Sequence, residues 1–178
     1  MSTVIPIGPF HPVLEEPEYI QLHVDGETVL DADIDLGRIH RGMELLAQEK
    51  TYDQDTFLVE RICGICSATH PWAAVLAMED IVGCEIPARA RYLRTIIHEL
   101  ERLHSHMLWV GLAGHIIGYW TVYMWCWKYR EPVLDCLEAI TGNRNHYAWY
   151  RPGGVRRDVP DEIWPTIDKA MDELDGKL

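Results

Sequence analysis

Basic side chains are scarce in this sequence. Its 178 residues include 16 Lys and Arg against 28 Asp and Glu, which gives a formal net charge of −12 at neutral pH. Phosphate backbones and anionic headgroups repel such a chain, so nucleic acid and anionic lipid are disfavoured as its main partners. Internal repeats and low-complexity linkers are also missing, and the length suits one ordinary domain.

Cysteine is too sparse for a disulfide scaffold. The chain has five cysteines, an odd number, and this usage fits a reducing cytosolic compartment. The first residues, Met1 to Val4, lack the basic region and the long apolar run that open a secretory signal. We therefore expect no secretory signal.

Charged side chains are absent between Leu103 and Trp127. A stretch of that length could span a bilayer, so a transmembrane helix is one interpretation. The stretch also contains several histidines and glycines, and polar groups inside lipid are costly. We predict helices buried within protein, with membrane insertion as the alternative.

Cys63 and Cys66 form the most informative pattern, within the segment from Glu60 to His70 that reads Arg-x-Cys-Gly-x-Cys-x-x-x-His. Two thiolates at this spacing can hold one soft metal ion or form a redox disulfide. Arg61 and His70 flank the pair and could polarise or hydrogen-bond the sulfurs. A zinc site needs more ligands, and a thioredoxin-type pair needs a βαβ unit that the sequence lacks. A buried cysteine pair without a metal remains the plain alternative.

The hydrophobic pattern predicts a mainly α fold, a bundle of long helices with a small N-terminal β-hairpin. We expect a single domain over residues 1–178, with a β-rich segment at 1–36 and helices over 37–178. Alternation predicts strands at Glu18–Val24 and Thr28–Ile34 around an Asp25-Gly26 turn. Helices are predicted at Arg41–Lys50, at Ser67–Val82, from Pro87 onward and from about Asp158. The helix beginning at Ser67 lies beside the cysteines, so its positive end should favour thiolates.

Several other residues have an ordinary structural interpretation. His98, His104 and His106 lie on or near an apolar helical stripe, where a histidine is usually a hydrogen-bonded core residue. The aromatic run from Tyr119 to Tyr129, which Pro132 interrupts, is typical of a core or an interface. His11, in a loop with two prolines, is expected at the surface unless a family role says otherwise.

Five ordered blocks resemble the N-terminal part of the large subunit of energy-converting, membrane-bound NiFe hydrogenases (group 4). They also resemble the related 49 kDa-type subunit of respiratory complex I. The blocks are Gly8–Pro12, where Phe10 replaces the usual Gln, His40–Glu44, Glu60–His70, Glu99–His106 and Arg151–Val155. Complex I relatives lack the cysteine pair, so its presence here favours the hydrogenase branch.

The resemblance implies roles for five residues. Cys63 would be a terminal nickel ligand, Cys66 would bridge nickel and iron, and His70 would support the bridging sulfur, with Arg61 beside the pair. Glu44 would take the proton released when hydrogen is cleaved heterolytically, a task that needs a pKa near the working pH. The alternative for Glu44 is a solvated charge on a short helix.

The resemblance also implies cofactors and partners. The iron of the Ni–Fe centre would carry cyanide and carbon monoxide, and electrons would leave through a 4Fe–4S cluster in a small subunit. Membrane subunits would translocate ions, with this chain peripheral on the cytoplasmic side. The family's second Cys pair lies near the end of a chain about twice as long, and no cysteine follows Arg151 here.

We therefore expect a second polypeptide to supply the other cysteine pair, although a truncated product and a degenerate site stay open. Two other functions compete with the hydrogenase. One is a complex I-like relative that reduces sulfur compounds or a quinone without a working Ni–Fe site, and the other is a non-catalytic scaffold.

Overall fold

The structure of this chain is a computed structural model that describes residues 3–14 and 16–177. Residues 1, 2 and 178, the ends of the expected domain, lie outside the described residues, as does residue 15 in the β-rich segment. The chain divides into two compact units, Met1–Glu44 and Leu45–Leu178. The single domain with a boundary after residue 36 stays a prediction.

The first unit contains an antiparallel sheet of three strands, β1 (Thr3–Ile7), β2 (Tyr19–Asp25) and β3 (Thr28–Asp35), in that order. The predicted hairpin of β2 and β3 is confirmed, with Gly26 at a positive φ in its turn. Strand β1 was not predicted. A proline within a short apolar run argues against a central strand, and Pro6 lies here in a strand at the edge of the sheet.

Helices dominate the rest of the described chain, which confirms the mainly α prediction. They are α1 (Met43–Gln48), α2 (Tyr52–Glu60), α3 (Thr69–Val82), α4 (Ala88–Ile116), α5 (Trp120–Thr141) and α6 (Trp164–Asp175). A short hairpin of β4 (Tyr150–Arg151) and β5 (Gly154–Val155) precedes a 3₁₀ turn at Asp161–Ile163. Helix α2 starts at a capping box between Thr51 and Gln54, and α4 starts directly after Pro87.

Helices α4 and α5 form an antiparallel hairpin that turns at Gly118, where φ is +83°. A Cβ atom placed on Gly111 would lie only 3.0 Å from the Cβ of Cys126, so glycine is what lets the two helices approach closely. Helix α5 continues through Pro132, which the sequence had marked as an interruption. Val133 and Leu134 beside it are buried, and this packing compensates for the lost helical hydrogen bond.

The uncharged stretch between Leu103 and Trp127 is divided between these two helices. Over residues 3–14 and 16–177, no helix is both long and apolar enough to cross a bilayer.

The core of the second unit lies between α3, α4, α5, α6 and the segment around Trp149. Most of the predicted stripe on α4 is buried, with Leu93, Ile97, Leu100 and Met107 at 7% exposure or less, but Val110 at its end is 44% exposed. This core supports the start of α3, directly after the two cysteines.

Candidate functional site

The cysteine pair lies in the turn that joins α2 to α3. Helix α2 ends at Glu60 and α3 begins at Thr69, so the two cysteines lie on a short connection between two helices. Cys63 and Cys66 are free and partly buried, and Cys63 lies near enough to Cys66 to contribute to the rise in its pKa. The buried Ser67 hydroxyl donates to the Cys63 carbonyl at 3.3 Å. The structure therefore places two thiols side by side at a partly open position.

Burial raises the pKa of the Cys66 thiol to about 12, and the neighbouring Cys63 and Glu101 contribute to the rise. The sequence had predicted the opposite, since the positive end of α3 should favour thiolates. That expectation is wrong for Cys66 because burial disfavours the charged thiolate and is the largest influence on the pKa of this thiol. A metal ion that binds here must displace the thiol proton.

Glu101 reaches this turn from α4 and is almost fully buried. Its carboxylate accepts the main-chain N–H of Ala68, the N–H of Thr69 at 3.0 Å and the Thr69 hydroxyl at 2.7 Å. The Glu101 carboxylate thereby satisfies two amides at the start of α3, whose own N-cap residue, Ala68, has no side-chain oxygen.

A cavity of about 290 Å³ opens beside the pair, with Cys66, Thr69, His98 and Glu101 in its wall. His98 Nδ1 is buried without a hydrogen-bond partner in the described structure and lies 3.9 Å from a Glu101 oxygen. The ring of His98 meets Trp72 edge-on at 4.7 Å. A thiol, a carboxylate and an imidazole are therefore among the groups that line the cavity.

The loop after α5 supports the cysteine turn from the other side. The main-chain N–H of Ala148 donates to Glu60 at 2.6 Å, and His146 Nδ1 lies 3.4 Å from the Ser67 hydroxyl. Both loop residues have a positive φ, 56° at His146 and 49° at Ala148, which is uncommon without glycine. Burial raises the pKa of Glu60 to about 7, although the Ala148 N–H and Arg61 oppose the rise.

A second group of polar side chains is buried in the core and joined by hydrogen bonds. Arg130 donates to Nδ1 of the fully buried His104, and the Tyr147 hydroxyl lies 3.3 Å from His104 Nε2. Arginine only donates, so Nδ1 must be the acceptor and Nε2 carries the proton of the neutral ring. Burial, followed by the Arg130 charge, lowers the pKa of His104 to about 4. The prediction of a hydrogen-bonded core histidine is confirmed for His104.

The Arg-Pro-Gly-Gly-Val block, residues 151–155, forms most of the β4–β5 hairpin. Arg94 is buried and forms an ion pair with Glu79 at 2.7 Å, and it also donates to the carbonyls of Arg151 and Gly154. Glu79 accepts the N–H of Gly153, whose φ is +85°. The pair therefore fastens the β4–β5 hairpin to α3 and α4.

The structure places the other predicted site residues as follows. Arg61 donates to Glu60 at 2.7 Å and to the Phe57 carbonyl at 3.0 Å. The main-chain N–H of His70 donates to the Cys66 carbonyl at 3.4 Å. Glu44 is exposed in the first turn of α1, and the roles of all these residues stay predictions.

Sequence reasoning missed Glu60, Glu101 and His146. The first two lie inside blocks that had been singled out, so their position in the sequence was a usable signal, whereas nothing in the sequence pointed to His146. Among the described residues, no group of three or more His, Cys, Asp or Glu side chains is placed to hold a metal ion.

Comparison with known proteins gives two family matches. Residues 41–111 match the nickel-dependent hydrogenase model, and residues 117–178 match the 49 kDa subunit of respiratory-chain NADH dehydrogenase. The membrane-bound hydrogenase subunit alpha of Pyrococcus furiosus is 48% identical over 89% of this chain and 37% of its own length. The carbon monoxide-induced hydrogenase of Rhodospirillum rubrum is 44% identical over 100% of this chain and 50% of its own.

A solved structure of the membrane-bound sulfane sulfur reductase, an archaeal respiratory membrane complex, superposes with a TM-score of 0.89 at 30% identity. The match covers 99% of this chain and 47% of that one. The chain thus spans half or less of the length of these relatives.

Proposed function

We propose that this chain forms the N-terminal half of an energy-converting NiFe hydrogenase catalytic subunit. It belongs to the family that unites the large subunits of NiFe hydrogenases with the 49 kDa subunit of complex I, as its sequence blocks predicted. The observation that carries the proposal is the pair of adjacent, partly buried thiols of Cys63 and Cys66.

The donor set fits half of a nickel–iron site. Two soft sulfur ligands at Cys-x-x-Cys spacing suit nickel and low-spin iron. The described residues bring no third ligand to them, so two more sulfurs must come from elsewhere. The incomplete set is what a segment covering half of its relatives would contain.

Each site residue then has a task. The Ni–Fe centre, when bound, supplies the heterolytic cleavage or formation of H₂. Cys63 and Cys66 would hold the Ni–Fe centre through their sulfurs, His70 would support the Cys66 sulfur, and Arg61 would keep the turn attached to Glu60. Glu44 accepts the proton and passes it outward.

We propose that a partner polypeptide supplies the second cysteine pair. The tip of the α4–α5 hairpin exposes an unusual number of large apolar side chains, a feature typical of interaction surfaces: Trp109, Ile116, Ile117, Trp120, Met124 and Trp125. We propose that this surface receives the polypeptide that completes the large subunit. A small subunit with a 4Fe–4S cluster and ion-translocating membrane subunits would complete the assembly on the cytoplasmic side.

A second candidate function has its own support. The solved relative is part of a sulfane sulfur reductase, and one matched family model describes a complex I subunit. In this case the chain would belong to a complex that reduces sulfur compounds or a quinone, and Cys63 and Cys66 would hold no nickel. A non-catalytic scaffold is the remaining alternative.

Infrared spectroscopy of the anaerobically purified native complex tests the proposal, in the region of metal-bound carbonyl and cyanide stretches. Sharp bands that shift under hydrogen, and that disappear in Cys66→Ser, would support the hydrogenase. The matched control is Cys84→Ser, which removes an exposed thiol outside the pair and should keep the bands. An intact complex that reduces sulfur or quinone and shows no bands would overturn the proposal in favour of the second candidate.

A further inference from the structure

Glu101 makes an unusual connection between α4 and the start of α3. Its carboxylate accepts hydrogen bonds from the N–H of Ala68, the N–H of Thr69 and the Thr69 hydroxyl, across 33 and 32 residues of sequence. All three partner groups are donors, so the Glu101 side chain acts purely as an acceptor, which is the role of an ionised carboxylate. At 2% exposure, it is shielded from water that could replace these bonds.

The start of α3 depends on this carboxylate. A helix usually satisfies its first amides with an N-cap side chain, but Ala68 occupies that position in α3 and has no oxygen to offer. Each buried amide left without an acceptor would cost about 1–3 kcal/mol. Glu101 thus supplies, from a different helix, the acceptor for the amides of Ala68 at the N-cap and Thr69 at the first helical position.

The two amides that Glu101 accepts belong to Ala68 and Thr69, two and three residues after Cys66. The Cys66 carbonyl accepts the N–H of His70, so the cysteine is already joined to the first turn of α3. Holding the main chain at Ala68 and Thr69 limits the directions in which the Cys66 side chain can point. The carboxylate also lies in the wall of the same cavity as Cys66, close enough for its charge to act on the sulfur.

We propose that Glu101 is a positioning residue of the metal site, which orients the Cys66 sulfur for metal binding and increases its electron donation through a buried negative charge. The inference deepens the proposed function and rests on it for the identity of the metal. Glu101 orients the cysteine turn whichever ligand Cys66 binds.

The decisive variant is Glu101→Gln in the native complex. A glutamine has one acceptor oxygen and one NH₂ group, so its NH₂ must face an N–H or hydroxyl donor where the carboxylate had a bond. Residues that orient metal ligands typically contribute 10–100-fold to metal affinity, so nickel should leave the variant about 10–100-fold faster in the presence of a chelator. Losing a negative charge also weakens electron donation to the metals, so the carbonyl stretch should move to higher wavenumber.

Three further variants separate positioning from folding. Glu99→Gln removes the same charge from the same helix at a half-exposed position and should leave nickel release and the carbonyl band unchanged. Glu101→Asp retains the charge, so its carbonyl band should lie closer to the wild-type position than the band of Glu101→Gln. Thr69→Val removes one donor at an exposed site, so it should fold and show a smaller increase in nickel release even if Glu101→Gln does not assemble.

The outcomes distinguish this inference from the proposed function. Fast nickel release and a shifted band in Glu101→Gln, with neither in Glu99→Gln, support the inference. An unshifted band and normal nickel retention in an assembled Glu101→Gln complex, or in Thr69→Val where the first variant fails to assemble, overturn it.

Wild-type complex without carbonyl bands overturns the proposed function instead. Hydrogen exchange of the Ala68 and Thr69 amides then decides the inference without any metal. Exchange at least 10-fold faster in Glu101→Gln than in Glu99→Gln supports the control of the turn by Glu101, and equal exchange overturns it.

Discussion

The main-chain N–H of Ala148 donates to the buried carboxylate of Glu60 at 2.6 Å, across 88 residues of sequence. Glu60 also pairs with Arg61, two residues before Cys63. One carboxylate therefore joins the end of α2, the cysteine turn and the loop after α5. Because Glu60 lies in the interior, its protonation state should influence stability as well as position.

We expect a pH dependence of stability that comes from Glu60. Burial raises its pKa to about 7, above the ordinary value near 4.5, so the folded state holds the proton more tightly than the unfolded state. This contribution to stability is fully present below about pH 4.5 and is lost as the pH rises to about 7. The free energy of unfolding should fall by about 3 kcal/mol over this window relative to Glu60→Gln. Denaturant unfolding at pH 5 and pH 8 measures the difference.

The matched control for Glu60 is the exposed Glu49. Glu49→Gln should keep the wild-type difference between pH 5 and pH 8, whereas Glu60→Gln should lose most of it. Identical pH profiles of wild type and Glu60→Gln would show that the carboxylate titrates normally in the folded chain.

His104 should produce the opposite dependence. Burial and Arg130 lower its pKa to about 4, so the unfolded state binds the proton more readily than the folded state. Stability from this group is complete above about pH 6.5 and is lost as the pH falls to about 4. Replacing His104 by Gln, which keeps an acceptor for Arg130 but does not titrate, should remove about 3 kcal/mol of acid sensitivity. Urea unfolding at pH 4.5 and pH 7 tests this, and an unchanged acid sensitivity would contradict it.

The buried ion pair of Arg94 and Glu79 should be essential to stability. Arg94→Met leaves Glu79 without its charged partner and removes the bonds to the β4–β5 hairpin, at a cost of about 3–5 kcal/mol. The pair of Arg89 and Asp158 is an exposed counterpart with equally short distances. Arg89→Met should therefore change the melting temperature little, and equal losses in the two variants would refute the distinction.

Close approach of α4 and α5 should make Gly111 intolerant of a side chain. A Cβ atom there would lie 3.0 Å from the Cβ of Cys126, so Gly111→Ala must push the helices apart. We expect a net loss of about 1–2 kcal/mol, because overpacking outweighs the better helix propensity of alanine. Gly176→Ala, where the nearest atom is 3.7 Å away, is the control and should be neutral. Calorimetric unfolding of both variants measures the effect.

The sequence by itself determined the parts that depend on local pattern. Alternation predicted the β2–β3 hairpin, 3.6-residue periodicity predicted the buried stripe of α4, and ordered blocks around Cys63 and Cys66 predicted the family. These signals are readable because each is repeated within a short segment, so neighbouring residues carry the information.

Only the tertiary structure decided which side chains hold the cysteine turn in place and which charges lie beside it. Glu101, Glu60 and the loop at His146 reach the turn from distant segments, and no local pattern encodes such contacts. The tertiary packing also reverses the expected acidity of Cys66, because burial disfavours the charged thiolate and the neighbouring Cys63 and Glu101 add to the rise in its pKa. Edge strand β1 and the continuation of α5 through Pro132 likewise depend on pairing and packing, which override the local preference of proline.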